Sequence, residues 1–289
     1  MLGKEKNIHT FIGCDSGYGQ AGIVLFGAPF DGTTSFRPGT RFASAAMRAE
    51  SFGLETFSPY LNRDLEDIAA FDAGDLDFPF GNSARVLDAI ESAAATILGD
   101  GKIPCMIGGE HLVTLGAVRA AAAKYSDLHI IHFDAHADLR DDYIGEKLSH
   151  ATVMRRCWEL VGDGRIHQFG IRSGERSEFD WGARHVSTRR FDFEGLGSTV
   201  KALKGRPVYF TLDLDVLDPS IFPGTGTPEA GGVTFKELLS AVQALEGLDI
   251  VGFDVNELSP QYDLSGASTA TACKILRELL LIVSARSSA

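Results

Sequence analysis

Apolar residues fall into short runs along the chain, separated by stretches in which they recur every three or four positions. The short runs read as strands at 21–27, 69–74, 103–107, 128–133, 165–170, 206–212 and 249–253. The periodic stretches read as helices at 43–51, 84–98, 112–124, 150–161, 235–245 and 267–285. Leu128-His129-Ile130-Ile131-His132-Phe133 is apolar at nearly every position, the pattern of a central parallel strand covered on both faces. Regular strand–helix alternation predicts a three-layer α/β domain, a mainly parallel sheet flanked by helices. It spans 1–289, with residues 1–20 as a peripheral N-terminal segment or short strand.

Ligands bind such sheets beyond the carboxyl ends of the strands. His111, Asp134, Asp213 and Glu257 each follow an apolar strand in the same sense, so they are expected to converge on one edge. Two runs concentrate the chemistry there: Asp134-Ala135-His136-Ala137-Asp138 and Asp213-Leu214-Asp215-Val216-Leu217-Asp218-Pro219. Extended backbone would put Asp134, His136 and Asp138 on one face, and Asp213 and Asp215 likewise. With His111 they offer four carboxylates and two imidazoles, a set suited to two divalent metals. A lone Asp after a strand often caps a turn. Carboxylates this concentrated would repel one another and resist burial, and metal cations remove both objections. The pattern points to metal-assisted hydrolysis. Asp218 either orients a ligand or caps its turn, and Glu110 either orients His111 or forms a surface ion pair. His129 and His132, inside a strand, read as packing residues or supports for a neighbouring ligand.

Composition narrows the partners. Lys and Arg total 27 against 39 Asp and Glu, a formal charge of −12, which opposes a nucleic-acid backbone and suits a cationic ligand. The four cysteines are widely spaced with no CxxC pair and read as reduced thiols. No signal peptide or membrane-length apolar run is apparent, so a cytoplasmic protein is expected. The glycine-rich stretch 225–232 lacks a phosphate-loop lysine and is expected at a substrate mouth.

With Gly108-Gly109-Glu110-His111 and Glu257-Leu258-Ser259-Pro260, the two acidic runs resemble the signature of the ureohydrolase (arginase/agmatinase) superfamily over almost the whole chain. The resemblance implies an arginase-like fold and a binuclear manganese centre, two Mn2+ per subunit, held by His111, Asp134, His136, Asp138, Asp213 and Asp215. It implies that Asp134 and Asp215 bridge the ions, that Asp138 also hydrogen-bonds the attacking group, and that Glu257 binds the substrate guanidinium. His150 falls at the histidine assigned to proton transfer. A homo-oligomer, trimer or hexamer, is implied as well. The expected reaction converts agmatine and water to putrescine and urea. The alternatives are hydrolysis of guanidinobutyrate, guanidine or arginine, or a non-catalytic metal-binding member of the fold. Asp141, Asp142 and Glu146 would favour a distal ammonium, with Arg140 and Lys147 opposing. Arg37-Pro38-Gly39 and Phe169-Gly170-Ile171-Arg172-Ser173-Gly174 are expected at the pocket entrance or a subunit contact. Three departures stand out: Glu110 for the more common Asp, Ala137 for Thr, and His150-Ala151 for His-Gly.

Overall fold

The computed structural model describes residues 2–284. Among these described residues ten strands form: β1 Ile23–Gly27, β2 Phe57–Ser58, β3 Arg63–Asp64, β4 Ala70–Asp75, β5 Ile103–Ile107, β6 His129–Phe133, β7 Ile166–Ile171, β8 Ser187–Arg190, β9 Pro207–Asp213 and β10 Asp249–Asn256. Eight of them build one sheet in the order β4-β1-β5-β10-β9-β6-β7-β8, and β2 and β3 make a separate antiparallel pair. All seven pairings in the large sheet are parallel. β9 and β10, the last strands in sequence, therefore sit in the middle, inserted between β5 and β6. The carboxyl ends of β5, β10, β9 and β6 lie side by side.

Helices cover both faces: α1 Ala43–Ser51, α2 Ser83–Gly99, α3 Thr114–Lys124, α4 Val153–Val161, α5 Arg176–His185, α6 Leu196–Ala202, α7 Phe235–Gln243 and α8 Ala267–Ser284. One core layer joins Phe133, Phe210 and Leu212 of the sheet to Met47 of α1, Val200 of α6, Leu238 of α7 and Leu276 of α8. The other joins Ile130 and Tyr209 to Leu87 of α2, Val118 of α3 and Met154 of α4. This is the three-layer arrangement expected from the alternation. Ala285, the last residue of the expected final helix, lies outside the described residues.

The pattern gave no element between 171 and 206, where α5, β8 and α6 form. Ser187-Thr188-Arg189-Arg190 is a polar edge strand with no apolar face to announce it. The N-terminal segment is less peripheral than expected. Residues 3–6 are exposed, but Phe11 and Cys14 are fully buried and Asp15 bridges to Phe71 of β4. Phe11 is drawn in because its backbone N–H donates to the buried carboxylate of Asp72 at 2.8 Å. All four cysteines are buried and unpaired, as expected of thiols. Among the described residues, no helix is long and apolar enough to cross a membrane.

Arg48 of α1 clamps Asp72 through two hydrogen bonds, of 2.8 and 2.9 Å, with both side chains buried. Removing one partner of a buried pair strands the other charge. Arg48→Ala is therefore expected to cost about 3–5 kcal/mol, read from the denaturant midpoint at unchanged m-value.

Candidate metal centre

His111 opens a short 3-10 turn just beyond β5, entered through Gly108 and Gly109. Side chains do not fit at those two glycines. A Cβ on Gly108 would lie 1.7 Å from Asn256 Oδ1, and one on Gly109 would lie 1.9 Å from the Phe30 carbonyl oxygen. The His111 ring is held through Nε2 by the Thr211 hydroxyl at 2.9 Å, which turns Nδ1 inward.

The acidic runs are shaped by turns of their own making. β6 ends at Phe133, and the backbone N–H of His136 donates to Asp134 Oδ1 at 2.5 Å. The N–H of Asp215 donates to Asp213 Oδ1 at 2.8 Å. In each run the first aspartate folds the chain over itself two residues on, an Asx turn. The grouping expected from strand alternation is reached this way, because β6 ends before Asp134 and β9 ends at Asp213. Asp138 then adopts a left-handed backbone, φ 53°, and Glu257 does the same at 65°. Such conformations cost non-glycine residues about 1–3 kcal/mol each. At Asp138 the turn aims its carbonyl at the N-terminus of α4, where the N–H groups of Met154 and Arg155 donate to it at 3.0 and 3.2 Å.

The donors gather in two groups that share Asp134. In the first, His111 Nδ1 lies 3.0 Å from Asp134 Oδ2, 3.2 Å from Asp138 Oδ2 and 3.3 Å from Asp213 Oδ2. In the second, His136 Nδ1 lies 3.0 Å from Asp215 Oδ2 and 3.6 Å from Asp134 Oδ1. Asp134 thus turns one oxygen to each group. Asp215 lies in the second group, beside His136. His132 also falls in the first group, its Nε2 2.7 Å from Asp134 Oδ2.

Two observations fit a pair of divalent cations. Among the described residues, His111 Nδ1 is buried beside three carboxylates yet has no hydrogen-bond partner. The carboxylates also crowd one another. Burial and then the charge of Asp134 push Asp138 up to about 7. Burial and then Asp215 and Asp134 push Asp213 well above the usual carboxylate range. Burial opposes ionisation of Asp134 too, but the imidazoles around it hold it low. Oxygen and imidazole donors in this mixture suit Mn, Fe, Co, Ni or Zn.

Glu257 is buried next to this centre. Its Oε1 accepts the His111 backbone N–H at 2.7 Å, and burial followed by the charge of Glu110 raises its pKa strongly. His150 stands at a cleft of about 290 Å³ lined also by Ser35, His136, Asp138, Tyr143, Glu175 and Thr227. Its N–H donates to Thr33 Oγ1 at 3.1 Å, and its Nε2 lies 3.0 Å from Ser35 Oγ. Desolvation first, then the imidazoles of His136 and His111, push the His150 ring down to about 4. Glu257 is not among the residues lining that cleft.

The residues read both ways in the sequence now separate. Glu110 is fully buried and accepts from the Thr33 N–H at 2.8 Å, the Thr33 hydroxyl at 2.5 Å and the Thr34 hydroxyl at 3.1 Å. It ties the turn that carries His111 to the loop that holds His150, so the surface ion pair is ruled out. Asp218 caps its own turn, accepting from Ser220, Gly231 and Gly232. Among the described residues Arg172 makes no ion pair. Its guanidinium donates to the carbonyls of Asp215, Val216 and Glu229 at 2.7, 3.1 and 2.8 Å, bracing the second acidic run. Asp141 is taken by Arg156 at 2.8 Å, and Asp141, Asp142 and Glu146 do not line the cleft. Besides Asp138, the carboxylates that do are Glu175 and Glu178, which sequence reasoning missed because α5 itself was not legible.

A parallel sheet with a doubled carboxylate–imidazole site at its central strand ends defines a class of metal-dependent hydrolase, and the arginase family profile matches residues 21–282. The chain belongs to the arginase family. Within it, the chain is 49% identical over 278 residues to an agmatinase of Bacillus subtilis, covering 94% of this chain and 95% of that one. An agmatinase of Bacillus anthracis is 48% identical over 277 residues, with the same coverage. The crystal structure of agmatine ureohydrolase from Thermoplasma volcanium superposes with a TM-score of 0.89 at 35% identity, covering 98% of this chain and 96% of that one.

Metal added to stripped protein is expected to stabilise it by about 2.7 kcal/mol at a hundredfold excess over Kd, read as a shift in thermal midpoint. Asp134→Asn removes the charge common to both groups and should abolish most of that shift. A full shift in the variant would show that Asp134 is not shared.

Proposed function

We propose that this protein is a binuclear manganese amidinohydrolase that converts agmatine and water to putrescine and urea. The observation that carries the reading is the convergence of six donors, from three separate strand ends, on two groups sharing one carboxylate. His111, Asp134, Asp138 and Asp213 would hold one ion, and Asp134, His136 and Asp215 the other. Bound metal would supply charge stabilisation and a water acidified toward neutral pH.

The chain's own residues carry the rest. A guanidinium is planar and cationic and resists attack, so it must be held in place. Glu257 offers a buried carboxylate for charge-assisted hydrogen bonds, fixed at Oε1 by the His111 N–H. Burial and then the charge of Glu110 raise its pKa, and a bound cation would offset both. His150, pushed down to about 4, is neutral at pH 7. It acts by taking up a proton and passing it to the departing amine, not as a stored acid. Its two contacts on the 33–35 loop hold the ring at the cleft wall.

The far end of the substrate decides between relatives of this chemistry. Glu175 and Glu178 at the cleft favour a distal ammonium. Arg140 lines the same cleft and is paired with Glu175 at 2.8 Å. That guanidinium favours the second reading, a substrate ending in a carboxylate such as 4-guanidinobutyrate. A homo-oligomer, trimer or hexamer, and a cytoplasmic setting belong to the same proposal through the family resemblance.

Urea release by Mn-loaded protein on agmatine, arginine, 4-guanidinobutyrate and guanidine, beside a stripped control, tests the reading. Agmatine is expected to lead. A lead for 4-guanidinobutyrate transfers the assignment to the second reading, and no urea from any substrate overturns the enzyme. Glu257→Gln is expected to lower kcat/KM by about 100-fold or more, with manganese binding within a few-fold of wild type. A parallel loss of metal would make Glu257 part of the metal site instead.

A further inference from the structure

Strand register lays a row of polar side chains across the sheet beneath the candidate metal centre. Thr188 of β8 pairs with Gln168 of β7, and Gln168 pairs with His132 of β6. His132 pairs in turn with Thr211 of β9, whose hydroxyl holds the His111 ring. In a parallel sheet, paired positions place their side chains on the same face. His132 and Gln168 are both completely buried.

The hydrogen bonds along the row run in one direction. The Thr188 hydroxyl donates to Gln168 Oε1 at 2.8 Å. Gln168 Nε2 lies 2.7 Å from the carbonyl oxygen of Ala137, which can only accept, so Nε2 is the donor end of the amide. The same nitrogen lies 3.1 Å from His132 Nδ1 and gives it the second amide hydrogen. Nδ1 must then be the acceptor, and the neutral imidazole carries its hydrogen on Nε2. That Nε2–H points at Asp134 Oδ2, 2.7 Å away.

We propose that Gln168 and His132 are positioning residues for the metal loop: through them the sheet fixes the orientation of the Asp134 carboxylate, the one shared by both donor groups. His132 is therefore not a ligand, although it lies within reach of the first group. Its Nε2 lone pair is absent and its Nδ1 is occupied. Gln168 grips the loop twice, at Asp134 through His132 and at the Ala137 carbonyl between His136 and Asp138. A carboxylate left to rotate would present its oxygens to the two groups only part of the time. Partners that orient ligands in this way typically alter metal affinity by roughly 10–100-fold when removed. This inference rests on the two-metal reading of the site.

The test is manganese binding to the full-length protein, measured from the free-Mn2+ electron paramagnetic resonance signal with no substrate present. His132→Met fills the space but has no donor. His132→Gln restores an amide N–H near the position of Nε2. Gln168→Met acts one residue removed from any ligand. Arg48→Ala serves as a destabilised control away from the row. His132→Met and Gln168→Met are expected to weaken manganese binding by about tenfold or more, with His132→Gln within a few-fold of wild type and Arg48→Ala unchanged. Wild-type affinity in both Met variants overturns the proposal. So does equal loss in His132→Gln and His132→Met, which would show that only packing matters, or an equal loss in the Arg48→Ala control. Wild-type protein that takes up no divalent metal overturns the two-metal reading itself, and this inference with it.

Discussion

Four aspartates are buried within a few ångströms of one another at the carboxyl edge of the sheet, and a fifth carboxylate, Glu257, is buried beside them. Packing alone does not pay for this. Moving ionised carboxylates out of water costs several kcal/mol each even after relaxation, and their mutual repulsion adds to it. The upward pressure on Asp138, Asp213 and Glu257 registers that cost. Protonation or positive charge relieves that cost, and the arrangement of the donors in two groups around Asp134 fits positive charge at fixed points. The inward Nδ1 of His111, the shared Asp134 and the doubled grouping all follow from that requirement.

The scaffold meets the requirement with neutral or backbone groups. Thr211 turns His111, and His132 turns Asp134. Arg172 brings a cation near the second run, yet directs it to carbonyl oxygens and leaves the carboxylates of Asp213 and Asp215 unpaired by it. An arginine salt-bridged to those aspartates would neutralise them internally and compete with a metal. Strain is accepted at the same place. Asp138 and Glu257, left-handed without being glycine, sit where the chain must turn sharply to present a carboxylate.

The loops over the site are coupled to it. Glu110, with the longer side chain where the family commonly has Asp, reaches across to Thr33 and Thr34. Thr33 in turn receives the backbone N–H of His150. The residue next to a metal-ligand candidate thus anchors the loop that carries the proton-transfer candidate, through partly buried hydrogen bonds. The backbone carbonyl of Ala137, which any residue there would offer, accepts from Gln168.

The sequence by itself determined the elements whose faces are buried and the residue types at their ends. β6, β9 and β10 announce themselves by apolar runs, and the acidic and imidazole residues that follow are unmistakable because no core tolerates them unpaired. It could not determine α5 or β8, whose polar surfaces carry no burial signal, nor therefore Glu175, Glu178 and Thr188. Tertiary structure alone decided that β9 and β10 insert between β5 and β6, which is what makes His111, Asp134, Asp213 and Glu257 neighbours. It also decided that Asx turns, not strand alternation, aim the ligands, and that register sets Thr188, Gln168, His132 and Thr211 in one row. The physical reason is common to all three. Hydrophobic pattern reports which side of a segment leaves water, and that is a local property. Strand order, register and the partner of a buried polar group depend on segments far away in the chain.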